Sequence, residues 1–120
     1  MTISGFDFLR NCAPELLQTE APPSSASDVY AFAMTALEIL TGELPYAHIP
    51  QKRSAQLIQE LLHGGRPQRP QGEVYVEHGL EDAMWKLLER CWAQEPERRP
   101  TMGEVVEELE WMRYCASSLE

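Results

Sequence analysis

Between Val29 and Leu40 the chain carries only two polar side chains, Thr35 and Glu38. Val29, Tyr30, Ala31, Phe32, Ala33, Met34, Ala36, Leu37, Ile39 and Leu40 would cover every face of a helix. Ser27 or Asp28 is placed to cap its start, and Gly42 to end it after Thr41. A helix apolar all round must be surrounded by protein, so 28–41 is expected to be the central element of the fold.

The remaining elements read as helices that cover it. Pro14 suits a first helical position, because its missing N–H would have no partner there, and a short turn is expected over Pro14 to Gln18. Two prolines and small polar residues make 21–25 a loop. Leu57, Ile58, Leu61 and Leu62 form one stripe of a helix over 54–63, which Gly64-Gly65 stops. Arg66 to Gly72, with Pro67 and Pro70, is an extended loop. Glu73-Val74-Tyr75-Val76 alternates as a strand would, but no second strand is available, so it is expected as an extended connector. Leu80, Met84, Leu87, Leu88, Cys91 and Trp92 recur at threes and fours in a helix over 80–94. Thr101 and Glu104 have capping-box spacing. Met102, Val105, Val106, Leu109 and Met112 stripe the last helix, which is expected to fray over 113–120. The fold class is all-α: four helices plus a short turn in one unit spanning 1–120.

Charge excludes several functions. Ten Lys and Arg against nineteen Asp and Glu give a net charge of −9, so neither nucleic acid nor an anionic membrane is an expected partner. No run of about 18 apolar residues exists to span a bilayer, and Met1 to Asp7 lacks the pattern of a signal peptide. Cys12, Cys91 and Cys115 are few and scattered, as expected of reduced thiols in an intracellular, cytoplasmic protein. His48, His63 and His78 lack paired ligand spacing, so no metal site is expected.

Four segments, in order, carry a resemblance. Cys12-Ala13-Pro14-Glu15 is similar to the Ala-Pro-Glu that closes a protein-kinase activation segment. Ser27-Asp28-Val29-Tyr30-Ala31-Phe32, followed by Leu37-Glu38-Ile39-Leu40-Thr41-Gly42, resembles the buried central helix of the kinase C-lobe. Gly65-Arg66-Pro67 with Pro70 resembles a later C-lobe loop. Cys91-Trp92, then Pro96-Glu97-Arg98-Arg99-Pro100-Thr101, resembles the signature near the kinase C-terminus. The resemblance is to the tyrosine-kinase and tyrosine-kinase-like branch and covers about 10–112. Tyr30 and Ala33 stand where that family usually has Trp and Gly.

Equally informative is what the chain does not contain. No Gly-rich loop, strand lysine, His-Arg-Asp loop or Asp-Phe-Gly metal site is found in it, and phosphoryl transfer depends on those parts for positioning and charge neutralisation. Ile3-Ser4-Gly5-Phe6-Asp7 reads like Ile-Ser-Asp-Phe-Gly with Asp and Gly exchanged, a short near-match of a kind that also arises by accident. The parent family uses ATP and Mg; this chain by itself is expected to use neither and to have no catalytic residue.

The resemblance implies a buried ion pair between Glu15 and Arg99, structural rather than catalytic, with Trp92 and Pro100 as signature core positions. Asp28 would face the catalytic loop in a complete kinase; without that loop it reads as a carboxylate at a helix N-terminus beside Ser27. Pro67-Gln68-Arg69-Pro70 has the spacing of a polyproline ligand but matches the kinase loop better. Trp92 is expected in the core, with Trp85 and Trp111 partly exposed, and buried Tyr30 needs a partner for its hydroxyl. Glu104, Glu107, Glu108 and Glu110 read as a solvated face.

Three functions follow. A non-catalytic kinase C-lobe remnant would leave one face of helix 28–41 to be covered by the N-terminal ten residues, by self-association or by a protein partner, and would act through binding. The C-terminal part of an active kinase would have its remaining parts elsewhere. A helical adaptor would owe its motif matches to coincidence.

Overall fold

The computed structural model describes residues 9–18 and 22–118. The near-match at Ile3–Asp7 and the start of the 21–25 loop lie outside the described residues. Leu9 to Asn11 are helical. They are followed by α1 (Glu15–Gln18), α2 (Ser25–Thr41), α3 (Ser54–Leu62), α4 (Glu73–Glu77), α5 (Asp82–Cys91) and α6 (Met102–Ser118). Single 3-10 turns at Gln51–Arg53 and Pro96–Arg98 join them, and no strand occurs among the described residues.

Helix α2 is central, packing chiefly against α5. Val29, Tyr30, Ala33, Met34 and Leu37 of α2 are buried with Leu87, Leu88, Cys91 and Trp92. Leu57 and Leu61 from α3 and Val105 from α6 complete the same core. The start of α2 corrects the expected cap: Ser24 is the N-cap, and Ser27 lies three residues inside the helix. The Ser27 backbone N–H donates to the Ser24 hydroxyl at 3.2 Å, while the Ser24 N–H donates to the Ser27 hydroxyl at 2.8 Å. This reciprocal pair satisfies two N–H groups that the first turn leaves over. Gly42 ends the helix at φ 74°, its N–H donating to the Glu38 carbonyl at 2.7 Å. That left-handed conformation favours glycine.

Two other expectations are corrected. Glu73–Glu77 is a helical turn rather than an extended connector. With no strand beside it, the segment satisfies its backbone locally: the His78 N–H donates to the Val74 carbonyl and the Leu80 N–H to the Tyr75 carbonyl. Helix α5 is shorter than 80–94. Gly79, at φ 109°, breaks the chain before it, and beyond Cys91 the carbonyls of Trp92 and Ala93 accept from arginine side chains. Helix α6 runs from Met102 to Ser118. Its start is the Thr101–Glu104 box, with each residue's backbone N–H donating to the other's side chain at 3.1 Å.

Removing one cap oxygen strands a backbone donor. Ser24→Ala and Thr101→Ala are each expected to lower stability by about 1 kcal/mol, read from the urea midpoint.

Candidate functional site

Arg99 is a buried side chain with several long-range hydrogen bonds. Pro100 restricts the residue before it to extended backbone, and Arg99 has ψ 146°. Its guanidinium holds Glu15 in a fork, Nη1 to Oε2 at 2.7 Å and Nη2 to Oε1 at 2.8 Å, across 84 residues. Nη1 also donates to the Ala26 carbonyl at 3.1 Å and Nε to the Ala93 carbonyl at 2.9 Å. One side chain therefore ties together α1, the first turn of α2, the end of α5 and the loop before α6.

Tyr30, fully buried, sits between two arginines. The Arg99 and Arg66 guanidinium carbons lie 5.0 and 5.2 Å from its ring centroid, within cation–π range. Arg66 donates to the Trp92 carbonyl at 2.8 Å, the Gly65 carbonyl at 2.7 Å and Gln94 Oε1 at 2.5 Å. The Tyr30 hydroxyl lies beside that of Tyr46 but outside hydrogen-bonding geometry. Burial raises the pKa of both phenols. Trp92 is buried and meets the half-buried Trp85 edge to face at 5.3 Å.

Burial pushes the Glu15 carboxyl up, but the Arg99 hydrogen bonds and the Arg99 and Arg66 charges outweigh it, leaving the carboxyl below its ordinary value of 4.5. Burial also pushes the Cys91 thiol up to about 11 and raises that of Cys12, with Glu15 adding to the rise. Both thiols are thus kept protonated and unreactive.

Sequence reasoning missed Arg10. Its buried guanidinium donates to the carbonyls of Pro45, Tyr46 and Ile49 at 2.5, 2.8 and 3.0 Å. Tyr46 has φ 58°, a strained left-handed conformation for an aromatic residue, and Arg10 fixes the turn around it. A single arginine in an irregular segment gives no periodic signal, so this contact was invisible beforehand.

The other singled-out residues fall apart from this cluster. Asp28 is exposed, and its carboxylate has no hydrogen-bond partner among the described residues. In the Pro67–Pro70 loop, Pro67 is buried. Arg69 Nη1 donates to Asp82 Oδ1 at 2.6 Å and Nη2 to the Leu80 carbonyl at 3.2 Å, so this loop is fastened to the fold. Of the acidic run on α6, Glu108 pairs with Arg90, while Glu104, Glu107 and Glu110 are exposed.

A sequence profile of the family described as protein tyrosine and serine/threonine kinase matches residues 6–109. The chain belongs to that family. It is 35% identical over 98 residues to the serine/threonine-protein kinase STY17 of Arabidopsis thaliana, covering 81% of this chain and 15% of that protein. It is 35% identical over 106 residues to the proto-oncogene tyrosine-protein kinase ROS of Rattus norvegicus, covering 88% of this chain and 4% of that protein. The receptor-type guanylate cyclase Gyc76C of Drosophila melanogaster is 34% identical over 105 residues, covering 84% of this chain and 7% of that protein. The chain thus spans a small part of each relative. The kinase-domain segment has an all-helical fold here, and Glu15, Arg99, Tyr30, Arg66 and Trp92 converge within it.

The same kinase-family helix that Arg99 anchors has a second, open side. Ile39 is 75% exposed and Thr35 is exposed; Ala31, Phe32, Ala36 and Leu40 are half-buried. On this flank the described residues supply one hydrogen bond, from Asn11 Nδ2 to Thr35 Oγ1 at 3.4 Å. A separate cavity of about 740 Å³ lies between α5 and α6, with Trp111 and Met112 on one wall. Its charges are mixed, Lys86, Arg90 and Arg98 against Glu89 and Glu108.

Breaking the Glu15–Arg99 pair leaves an uncompensated charge, so Glu15→Ala or Arg99→Ala is expected to cost about 3–5 kcal/mol. A double-mutant cycle should show strong coupling rather than additive losses. Because the folded Glu15 pKa is depressed, its contribution is present above the unfolded value and lost as pH falls through the folded one. Urea titrations below pH 4.5 should show a shallower acid loss for Glu15→Gln than for the unsubstituted chain.

Proposed function

We propose that this kinase-family segment works as a non-catalytic, pseudokinase-like binding module inside the cell, with the open flank of α2 as its docking face. The observation that carries this reading is the exposure of Ile39 at 75%, on a helix whose other flank is the centre of the core. With half-buried Ala31, Phe32, Ala36 and Leu40 around it, Ile39 supports reading this flank as an interaction site. Ile39, Thr35 and Phe32 lie within two turns of one another, so a partner could seat on all three.

This reading assigns the chain no nucleotide–magnesium site of its own. Lys52 and Lys86 are exposed on separate elements, and no group of three or more His, Cys, Asp or Glu converges among the described residues. What converges instead, Arg99 with Glu15 and Arg66 with Trp92 and Gln94, is tied up in holding the fold. The likeness to a protein named as a guanylate cyclase also fits a reading in which the family segment serves a role other than phosphotransfer.

A second reading has its own support. The chain spans 15% of STY17 and 4% of ROS, which suits a C-terminal portion of an active ATP-dependent kinase. The open flank of α2 would then be covered by other parts of the same catalytic domain.

The absence of nucleotide binding by this chain is tested in a thermal-shift titration of the 120 residues. A ligand that binds only the folded state raises Tm with concentration. ATP with magnesium is expected to leave Tm unchanged; a concentration-dependent rise would overturn the non-catalytic reading. Ile39→Asp, a change at an exposed site, is expected to alter stability by less than about 0.5 kcal/mol while removing association at the α2 face.

A further inference from the structure

Helix α5 has two sides. Leu87, Leu88 and Cys91 are buried in the core with α2, while Ala83, Lys86 and Arg90, spaced at three and four residues, line a groove shared with α6. That groove, about 740 Å³ in volume, is walled on the α6 side by Trp111 and Met112. It lies on the side of α5 turned away from α2, so whatever covers the α2 flank does not decide its exposure. Trp111 is 65% exposed, and Tyr114, equally exposed, stacks on it with ring centroids 5.7 Å apart. We propose that this outer face of α5 and α6 joins two copies of the chain in a two-fold dimer. The proposal goes beyond the α2 reading and does not rest on it.

The face has the composition of a protein contact. Aromatic residues, methionine and arginine are enriched in such contacts, and tryptophan, tyrosine and arginine dominate their binding energy. Its shape is also self-complementary, because an exposed aromatic stack stands beside a hollow. A two-fold axis presents the same patch from both copies. The Trp111–Tyr114 stack of each copy can therefore enter the groove of the other, and one surface supplies both halves of the fit.

The charges select a second copy as the occupant. Arg90 is paired with Glu108, and Arg98 with Glu95. Lys86 and Glu89 also line the groove, both exposed, and neither has an ion pair among the described residues. They stand three residues apart on α5. An antiparallel crossing of two α5 helices about the midpoint between them sets each Lys86 against Glu89 of the other copy, so both charges are matched at once. A uniformly acidic or basic partner would match one and repel the other. The groove lining holds Lys86, Arg90 and Arg98 against Glu89 and Glu108, in a chain of net charge −9. Two copies meeting here do not face each other's acidic excess, and salt screens that excess beyond about 8 Å at physiological ionic strength.

Sedimentation velocity of the whole chain at physiological salt, from about 1 to 300 μM, reads the dimer dissociation constant; a contact of this size is expected in the micromolar range. Trp111→Ala should weaken dimerisation at least about tenfold, with circular dichroism showing an intact fold. Lys86→Glu alone and Glu89→Lys alone each set like charges across the axis, and each should weaken it about tenfold. Both changes in one chain should restore the constant to within about threefold, and mixing the two single variants should give a mixed dimer tighter than either alone. Ile39→Asp, on the α2 flank, should change the constant less than about twofold. A chain that stays monomeric up to 300 μM overturns the proposal. So does a dimer that ignores Trp111→Ala, or one that Ile39→Asp abolishes, because the contact then lies elsewhere. Single charge variants that weaken the dimer without rescue by the double variant or by mixing would overturn the two-fold arrangement.

Discussion

The fork between Arg99 and Glu15 holds together parts of the chain that have no other reason to meet. The two residues are 84 positions apart, and the same guanidinium also reaches Ala26 and Ala93. Burying a charge is tolerable only when it is paired and its remaining donors are satisfied. Here the bidentate carboxylate and two carbonyls meet that demand. Glu15 is left partly open to water, its side chain 21% exposed against 0% for Arg99. Loss of Glu15 would therefore leave the more deeply buried partner stranded.

Around that fork, one tyrosine is held between two guanidiniums. Arg66 and Arg99 approach the Tyr30 ring at similar distance, and both also take carbonyls at the end of α5. The first half of α2 is thereby fixed to the α5–α6 connection. The consequence is directional. The arginine bonding lies on one flank of α2, and the opposite flank, with Phe32, Thr35 and Ile39, receives the Asn11 Nδ2 hydrogen bond to Thr35 Oγ1 at 3.4 Å. A module with a rigid inner side and an exposed apolar outer side is suited to docking, because the helix that presents the face is itself immobilised by the core.

Much of this was legible in the sequence where one strong rule acted alone. The 3.6-residue stripes of α3, α5 and α6 and the Gly42 stop follow from periodicity and backbone freedom. The Thr101–Glu104 box follows from spacing. Kinship was legible in four ordered motifs, and the resemblance pointed to Glu15 and Arg99, which the structure brings into contact. Reading failed where two signals competed. Ser24, Ser25, Ser27 and Asp28 are all good cap residues, and only geometry singles out Ser24. Alternation at Glu73–Val76 imitated a strand, though a lone strand has nothing to pair with. The ends of α5 are set by Gly79 and by distant arginines taking its last carbonyls, which no local pattern encodes. The central place of α2 was legible from its apolar composition, yet composition cannot say which neighbours meet which face. Arg10, pinned to the strained turn at Tyr46, had no sequence signal at all.

The central claim is that α2 works through its open flank. The most direct measurement is photo-crosslinking in the source cells, with a photoreactive residue placed at position 39 in one experiment and at position 111 in another. Both positions are strongly exposed, at 75% and 65%, so reagent access does not separate them. The account predicts a discrete crosslinked polypeptide from position 39, identified by mass spectrometry, and none of comparable yield, other than a second copy of this chain, from position 111. Crosslinks from position 111 with none from position 39 would contradict it.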